Sequence, residues 1–280
     1  MCQILVHQSF LCTFAAKNSN NSMTPRAIFF DIDGTLVSFK THSIPESAKT
    51  AIRRLRNKGI KVIISTGRSF NDIDNLEDLE FDGYITANGT CCVDQKGKII
   101  AQHLLSKESL GKLAFYLEEN PFPCAFMTDK GNFINFVDDQ VLSMNQLVNI
   151  PTPPIKPISE LIEYDVYQLS VFIDPALETE LMSILADCDS SRWHPAFIDI
   201  NLKNSNKATG MNYFLTYFDI EREYTMAFGD GGNDISMLKH AATGIAMGNG
   251  TDEVKAAADY VTGSVDEDGI FNALRYFNLF

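Results

Sequence analysis

The sequence predicts an α/β protein: a parallel sheet covered by helices on both faces, interrupted by an inserted α+β unit. Short apolar runs alternate with amphipathic segments at the start and end of the chain, the pattern of strands joined by crossover helices. Between about residues 106 and 202 the alternation gives way to strands joined by short turns, which need antiparallel pairing. With 280 residues, 45% hydrophobic content and 20 phenylalanines, the chain can bury a large core or two modest ones.

In chain order, Ala27 to Phe30 is a buried strand that ends at Asp31. Pro45 to Lys58 sets Ala48, Ala51, Ile52 and Leu55 at helical spacing, with Pro45 suited to the first turn and Gly59 to the stop. Lys61 to Ser65 is a second buried strand. Thr66-Gly67-Arg68 follows, then a polar, acidic segment read as helical to about Leu79. Tyr84 to Ala87 is a third strand leading into Asn88-Gly89. The insertion reads as a helix at Ser106 to Glu119, strands at Cys124 to Thr128 and Asn132 to Val137, and a proline-rich stretch at Pro151 to Pro157. A strand at Tyr167 to Ile173, a helix at Leu177 to Ala186 and a strand at Phe197 to Leu202 complete it. The first pattern then resumes. A helix from Lys207 carries Met211, Phe214, Leu215 and Phe218 on one face, followed by strand Tyr224 to Gly229, helix Asp234 to Ala242 and strand Gly244 to Met247. Helix Thr251 to Ala258 and a last short strand and helix close the chain. The expected division is a core of residues 23–105 and 203–280, with no antiparallel strands of its own, and a unit of residues 106–202 that roofs the open end of the sheet.

A net charge of −13 argues against nucleic acid as partner, because phosphate backbones are bound by clustered Lys and Arg. The cysteines Cys2, Cys12, Cys91, Cys92, Cys124 and Cys188 contain no C-x-x-C pair and none at zinc-ligand spacing with a histidine, so they read as reduced structural thiols, with Cys91-Cys92 on a buried strand. Ile4 to Ala16 is moderately apolar, but no basic residue precedes it, and His7, Gln8 and Ser9 interrupt it, unlike a secretory signal. It is too short and polar to span a bilayer. Residues 1–22 read as a disordered extension or a gene-start artefact ahead of Met23. The expected location is the cytoplasm, with no membrane association; the sequence leaves the oligomeric state open.

The chemistry concentrates at Asp31-Ile32-Asp33-Gly34-Thr35. Side chains alternate along an extended backbone, so the strand delivers both acids to one side of its C-terminal end, where ligands bind in parallel sheets. Three other sites fall at predicted element ends and can converge there: Ser65-Thr66-Gly67, Lys207, and Gly229-Asp230-Gly231-Gly232-Asn233-Asp234. Asp230 and Asp234 with Asp31 offer hard oxygen ligands for a small divalent cation such as Mg²⁺. Lys207 opens a helix, where a cation opposes the macrodipole unless a bound anion relieves the conflict. A phosphate there would also take hydrogen bonds from the Thr66 hydroxyl, the Gly67 amide and Asn233.

On these residues the chain closely resembles Cof-type phosphatases of the haloacid dehalogenase (HAD) superfamily, especially bacterial sugar-phosphate phosphatases. The likeness spans about Met23 to Phe280. The family's D-x-D-G-T matches residues 31 to 35, its second motif Thr66, its third Lys207, and its G-D-G-x-N-D residues 229 to 234, in order. The resemblance implies a Rossmann-like parallel-sheet core with an α+β cap. It implies Asp31 as nucleophile, Asp33 as general acid/base whose backbone carbonyl also ligates Mg²⁺, Asp230 as a metal ligand, and Asp234 as a ligand directly or through water. The activity implied is Mg²⁺-dependent hydrolysis of small phosphorylated metabolites, hexose or other sugar phosphates, through an aspartyl-phosphate. A sugar phosphomutase and a non-catalytic sugar-phosphate sensor are the alternatives.

Blander readings stand beside several residues. Arg68 pairs with acids such as Asp72 or touches substrate. Asn88, a substrate-binding candidate, equally suits an Asn-Gly turn. Trp193, His194 and Phe197 either pack the cap or line a sugar pocket. Met144, Phe133 and Phe136 read as core.

Overall fold

The structure, a computed structural model, describes residues 24–73, 75–147 and 150–280. The expectations for residues 1–22 and for the Trp193 side chain lie outside what it describes. In chain order the elements are β1 (Ala27–Phe30), α1 (Glu46–Asn57), β2 (Lys61–Ser65), β3 (Gly83–Thr86), β4 (Cys91–Asp94), β5 (Ile99–Gln102), α2 (Lys107–Glu119), β6 (Cys124–Thr128), β7 (Gly131–Ile134), α3 (Asp139–Leu147) and α4 (Ile158–Leu161). They continue with β8 (Val166–Val171), α5 (Pro175–Ile184), β9 (Cys188–His194), β10 (Phe197–Leu202), α6 (Lys207–Phe218), β11 (Thr225–Gly229), α7 (Ile235–His240), β12 (Thr243–Ala246), α8 (Asp252–Ala257), β13 (Tyr260–Val261) and α9 (Gly269–Tyr276).

The first sheet has eight strands in the order β13-β12-β11-β1-β2-β3-β4-β5. From β13 to β3 the pairs are parallel, with Ala27 level with both Thr225 and Lys61. Strand alternation sends Ile28 and Phe30 to one face, against Ala51, Ile52 and Leu55 of α1 and Leu274 of α9, and Phe29 to the other, against Met211 and Phe214 of α6 and Met237 of α7. With both faces covered, β1 lies at the centre and its C-terminal end opens onto the site. Helix α1 ends where Gly59 takes φ +77°, a left-handed conformation that costs a glycine little.

Three departures from the sequence reading have local causes. Strands β4 and β5 form an antiparallel hairpin on the edge of the first sheet, where no antiparallel strand was expected; the turn is made by Asp94, whose Oδ1 accepts from the amides of Lys96 and Lys98. The acidic segment after Arg68 is not an α-helix: a single 3₁₀ turn spans Phe70–Asp72, and Glu77 sits at φ +54°. Its carboxylates are instead tied to α1, Asp78 to Arg53 and Glu80 to Arg56. Phe136 is exposed rather than core, whereas Met144 is buried and Phe133 packs partly buried at the cap core.

The second sheet, β7-β6-β8-β10-β9, is antiparallel throughout. Its outer face packs Phe126, Leu169, Val171, Ile198 and Ile200 under α2 and α5. Helix α3, helix α4 and strand β9 were not read from the sequence; β9 is a polar edge strand paired only with β10. Cys91 and Cys92 lie on β4, Cys124 on β6 and Cys188 on β9. All four are buried free thiols whose burial raises their pKa, that of Cys188 to about 12. Among the described residues no helix is long and apolar enough to cross a membrane.

Contact between α6 and the sheet is close. A Cβ added to Gly83 at the start of β3 would lie 2.1 Å from Cε1 of Phe214. Gly83→Ala is expected to cost about 1–3 kcal/mol through overpacking and to lower Tm by several degrees, read by calorimetry.

Candidate active site

Residues from four loops meet at the C-terminal end of the first sheet. Asp31 follows β1 directly, and its amide continues the ladder by donating to the Phe228 carbonyl at 3.1 Å. Lys207 is the first residue of α6, whose N-cap Asn206 accepts from the Thr209 amide. The Lys207 side chain is 0% exposed, and its Nζ donates to Asp31 Oδ1 at 2.7 Å and Asp234 Oδ1 at 2.5 Å. The other Asp234 oxygen closes the loop after β11 by accepting from the amides of Asp230 at 2.9 Å and Gly231 at 2.8 Å. Asp230 accepts from the Thr35 hydroxyl at 2.9 Å and the Asn249 amide at 3.0 Å.

Electrostatics follow from this crowding. Burial and the neighbouring Asp234 carboxylate raise the Asp31 pKa well above the carboxylate range, against the pull of Lys207. The same causes lift Asp230 to about 7, although the Thr35 hydrogen bond opposes them. Burial alone would lower the pKa of Lys207, but the carboxylates of Asp234 and Asp31 outweigh it and hold the ammonium charged. One oxygen each from Asp31, Asp230 and Asp234 lies within 4.8 Å of the others. Three carboxylates against one ammonium leave negative charge in excess, and the donors are all hard oxygens, so these residues fit a small divalent cation.

The Asp33 carboxylate is held by Arg68, whose Nε donates to Oδ2 at 2.7 Å and Nη2 to Oδ1 at 2.6 Å. Arg68 also reaches the Asp72 carbonyl at 3.3 Å. Among the described residues it forms an ion pair with the second acid of the motif, a pairing the sequence reading did not consider. Thr66 follows β2; its hydroxyl accepts from the Arg68 amide at 3.1 Å. Asn88 is buried at φ +53°, donates from Nδ2 to Gln168 Oε1 and Asp199 Oδ2, each at 2.9 Å, and accepts at Oδ1 from Asn233 at 2.9 Å. It bridges the two sheets.

A cavity of about 160 Å³ connects the sheets. Asp31, Asp33, Thr66, Gly67, Arg68 and Asn233 line it from below; Asn132, Gln168, Ser170, Phe172, Phe197 and Asp199 are among the residues lining it from above. Lys207, Asp230 and Asp234 are not on its wall. The upper residues were missed by sequence reasoning except Phe197, because single polar residues within strands carry no motif. His194 is half-buried and accepts at Nδ1 from the Ala196 amide, a turn contact.

A parallel sheet gathering acids and a buried lysine at its open end, beneath a second sheet that closes the cavity, defines a capped phosphoryl-transfer hydrolase. The chain belongs to the haloacid dehalogenase-like hydrolase family, whose model matches residues 28–274. It is similar to YkrA of Bacillus subtilis (strain 168), which carries a phosphatase name: 31% identical over 261 residues, 92% of this chain and 99% of that one. It is 28% identical over 260 residues to the 5-amino-6-(5-phospho-D-ribitylamino)uracil phosphatase YcsE of the same organism, covering 91% of this chain and 96% of that protein. Among solved structures it resembles the HAD subclass IIB sugar phosphatase BT4131, with 39% identity, a TM-score of 0.87, and coverage of 91% of this chain and 100% of that one. The protein is a phosphatase of this family.

Removing the ammonium in Lys207→Met strands two buried carboxylates and should cost about 3–5 kcal/mol in urea unfolding. Adding Asp234→Asn to that variant is expected to cost less than the sum of the two single changes, a coupling measurable by a double-mutant cycle.

Proposed function

We propose that the chain hydrolyses phosphomonoesters of small hydroxylated metabolites, sugar phosphates foremost, with Mg²⁺ as cofactor. The observation that carries this reading is the Asp31 carboxylate, placed on the cavity wall with Oδ1 fixed by Lys207 at 2.7 Å. Oδ2 is then the oxygen presented to phosphorus. Its attack forms an aspartyl-phosphate as the ester P–O bond breaks, and Asp33 protonates the departing alkoxide. Asp33 next takes a proton from the water that hydrolyses the acyl-phosphate. Because Arg68 occupies both Asp33 oxygens, this proton transfer requires the pair to loosen.

Thr66, Gly67 and Asn233 line the lower cavity and would donate to phosphate oxygens. Asn88, engaged by three partners, positions Asn233 and joins the two sheets rather than touching phosphate. Asp31, Asp230 and Asp234, with the Asp33 backbone carbonyl, would hold the Mg²⁺, which when bound neutralises charge on the transferred phosphoryl group. Residues 106–202 act as the cap that selects the leaving group. Hydrogen-bonding side chains on its cavity face, among them Gln168, Ser170 and Asp199, and the likeness to a sugar phosphatase support a hydroxylated one.

Phosphate release from a sugar-phosphate panel, with and without Mg²⁺, tests the reading. Chelation should abolish release and added Mg²⁺ restore it; metal-independent turnover would refute the cofactor assignment. Asp31→Asn is expected to leave no detectable turnover, and full activity there would remove the nucleophile. Asp33→Asn should slow turnover by about 10²–10⁴-fold. A phosphomutase would instead return an isomerised, still phosphorylated product that depends on a bisphosphate.

A further inference from the structure

A side chain outside the four sequence motifs ties together the loops that carry the acids. Strand β12 runs beside β11 with Ala246 level with Gly229, and the Met247 amide donates to the Gly229 carbonyl at 2.9 Å. The loop that follows, residues 247–251, therefore passes beside Asp230; a Cβ added to Gly250 would lie 3.0 Å from the Asp230 carbonyl oxygen. Asn249 in this loop donates from Nδ2 to the Gly34 carbonyl at 2.8 Å and to Asp230 Oδ2 at 3.0 Å, and accepts at Oδ1 from the Val265 amide at 3.0 Å. Two acceptors at one end of the side-chain amide and an N–H at the other fix which way it is turned. The Val265 turn is itself anchored to the loop after Gly34, because Asp266 accepts from the Ser38 hydroxyl at 2.6 Å and pairs with Lys40 at 2.7 Å.

Asp230 needs that support. One oxygen each of Asp31, Asp230 and Asp234 lies within 4.8 Å of the others, and repulsion between carboxylates so close drives an untethered one away from its neighbours. Two donors oppose that swing, one on each Asp230 oxygen: the Thr35 hydroxyl on Oδ1 at 2.9 Å and Asn249 on Oδ2. The same Asn249 amide holds the carbonyl of Gly34, which directly follows Asp33 and takes φ +87°. One side chain thus sets the spacing between the Asp33–Gly34 turn and the Asp230 carboxylate. Asn249 is exposed and lies off the cavity wall, so it serves neither the apolar core nor the leaving group.

We infer that Asn249 is a positioning residue for the divalent cation, holding the turn that carries the Asp33 carbonyl and the Asp230 carboxylate in place before the ion arrives. This rests on the Mg²⁺ part of the proposed function and assigns the residue that prepares the site. Ligands arranged in advance by hydrogen bonds from outside the coordination sphere bind without first being ordered, and loss of such a partner typically weakens metal binding by about 10–100-fold. The three hydrogen bonds of Asn249 lie near the surface, where water replaces a lost partner readily, so its removal loosens the site more than the fold.

Uptake of Mn²⁺ as the probe ion, followed by loss of the free-ion EPR signal, tests this without turnover. Wild-type protein is expected to bind Mn²⁺ at a site from which Mg²⁺ displaces it and which Asp230→Asn destroys. Asn249→Ala should weaken that uptake by about tenfold or more, while the Tm of the metal-free protein moves by only about 2–4 °C. The Mg²⁺ concentration giving half-maximal phosphate release should rise by a similar factor. If the alanine variant is poorly folded in chelator, Asn249→Gln decides. It keeps the amide but carries it one methylene too far to serve Gly34 and Asp230 together, and its Mn²⁺ affinity is expected to fall by about threefold or more. Wild-type affinity in a folded variant would overturn the inference and leave the Mg²⁺ assignment standing. Failure of the wild-type protein to take up any Mn²⁺ that depends on Asp230 would overturn both.

Discussion

The ammonium of Lys207, wholly buried, is shared between Asp31, 176 positions before it in the chain, and Asp234, 27 positions after it. A lysine without water needs charged partners, and the carboxylates so close to one another need a cation, so each side makes the other tolerable. To meet them, α6 must begin beside the end of β1, and the loop after β11 must fold back over its own amides. Parallel pairing of β11 with β1 and of β1 with β2 brings all three strand ends to one edge. Once that edge is set, Thr66 and Arg68 after β2 have nowhere to go but alongside Asp33.

Most of this was legible in the sequence, for a physical reason. The candidate site residues stand at the ends of strands and helices whose apolar runs are contiguous, so a short window contains both the element and the residue that it delivers. Asp31 and Asp33 follow four buried residues, and Lys207 opens a helix with a clear apolar face. What escaped depends on distant partners. Gln168, Ser170 and Asp199 acquire meaning only when antiparallel register puts them on one face of the second sheet. The segment after Arg68 had helical composition, yet ion pairs to α1 and a left-handed Glu77 drew it into an irregular path. Cys91-Cys92 was read on a strand, but its antiparallel pairing was hidden because its partner β5 is partly exposed and has no buried residue.

The seam between the two sheets is built of amides and carboxylates rather than apolar side chains. Asn88 meets Gln168 and Asp199, Asn201 meets the Ala87 carbonyl, and Asn132 meets Asp72. Polar seams of this kind exchange readily with water, so the upper unit can part from the lower at little cost. The Asn132 to Asp72 contact also links the cap to the short segment carrying Arg68, and through it to Asp33. Parting of the two units and the Asp33–Arg68 ion pair therefore share one set of hydrogen bonds.

The four buried thiols among the described residues have a consequence of their own. Raised pKa values and exclusion from solvent leave them protonated and unreactive while the chain is folded. They fall into two pairs, Cys91 and Cys92 beneath the lower sheet's edge and Cys124 and Cys188 inside the upper unit. A thiol-directed alkylating agent would thus act as a stopwatch with two hands, one timing the opening of each half, and the order in which the labels arrive would tell which half comes apart first.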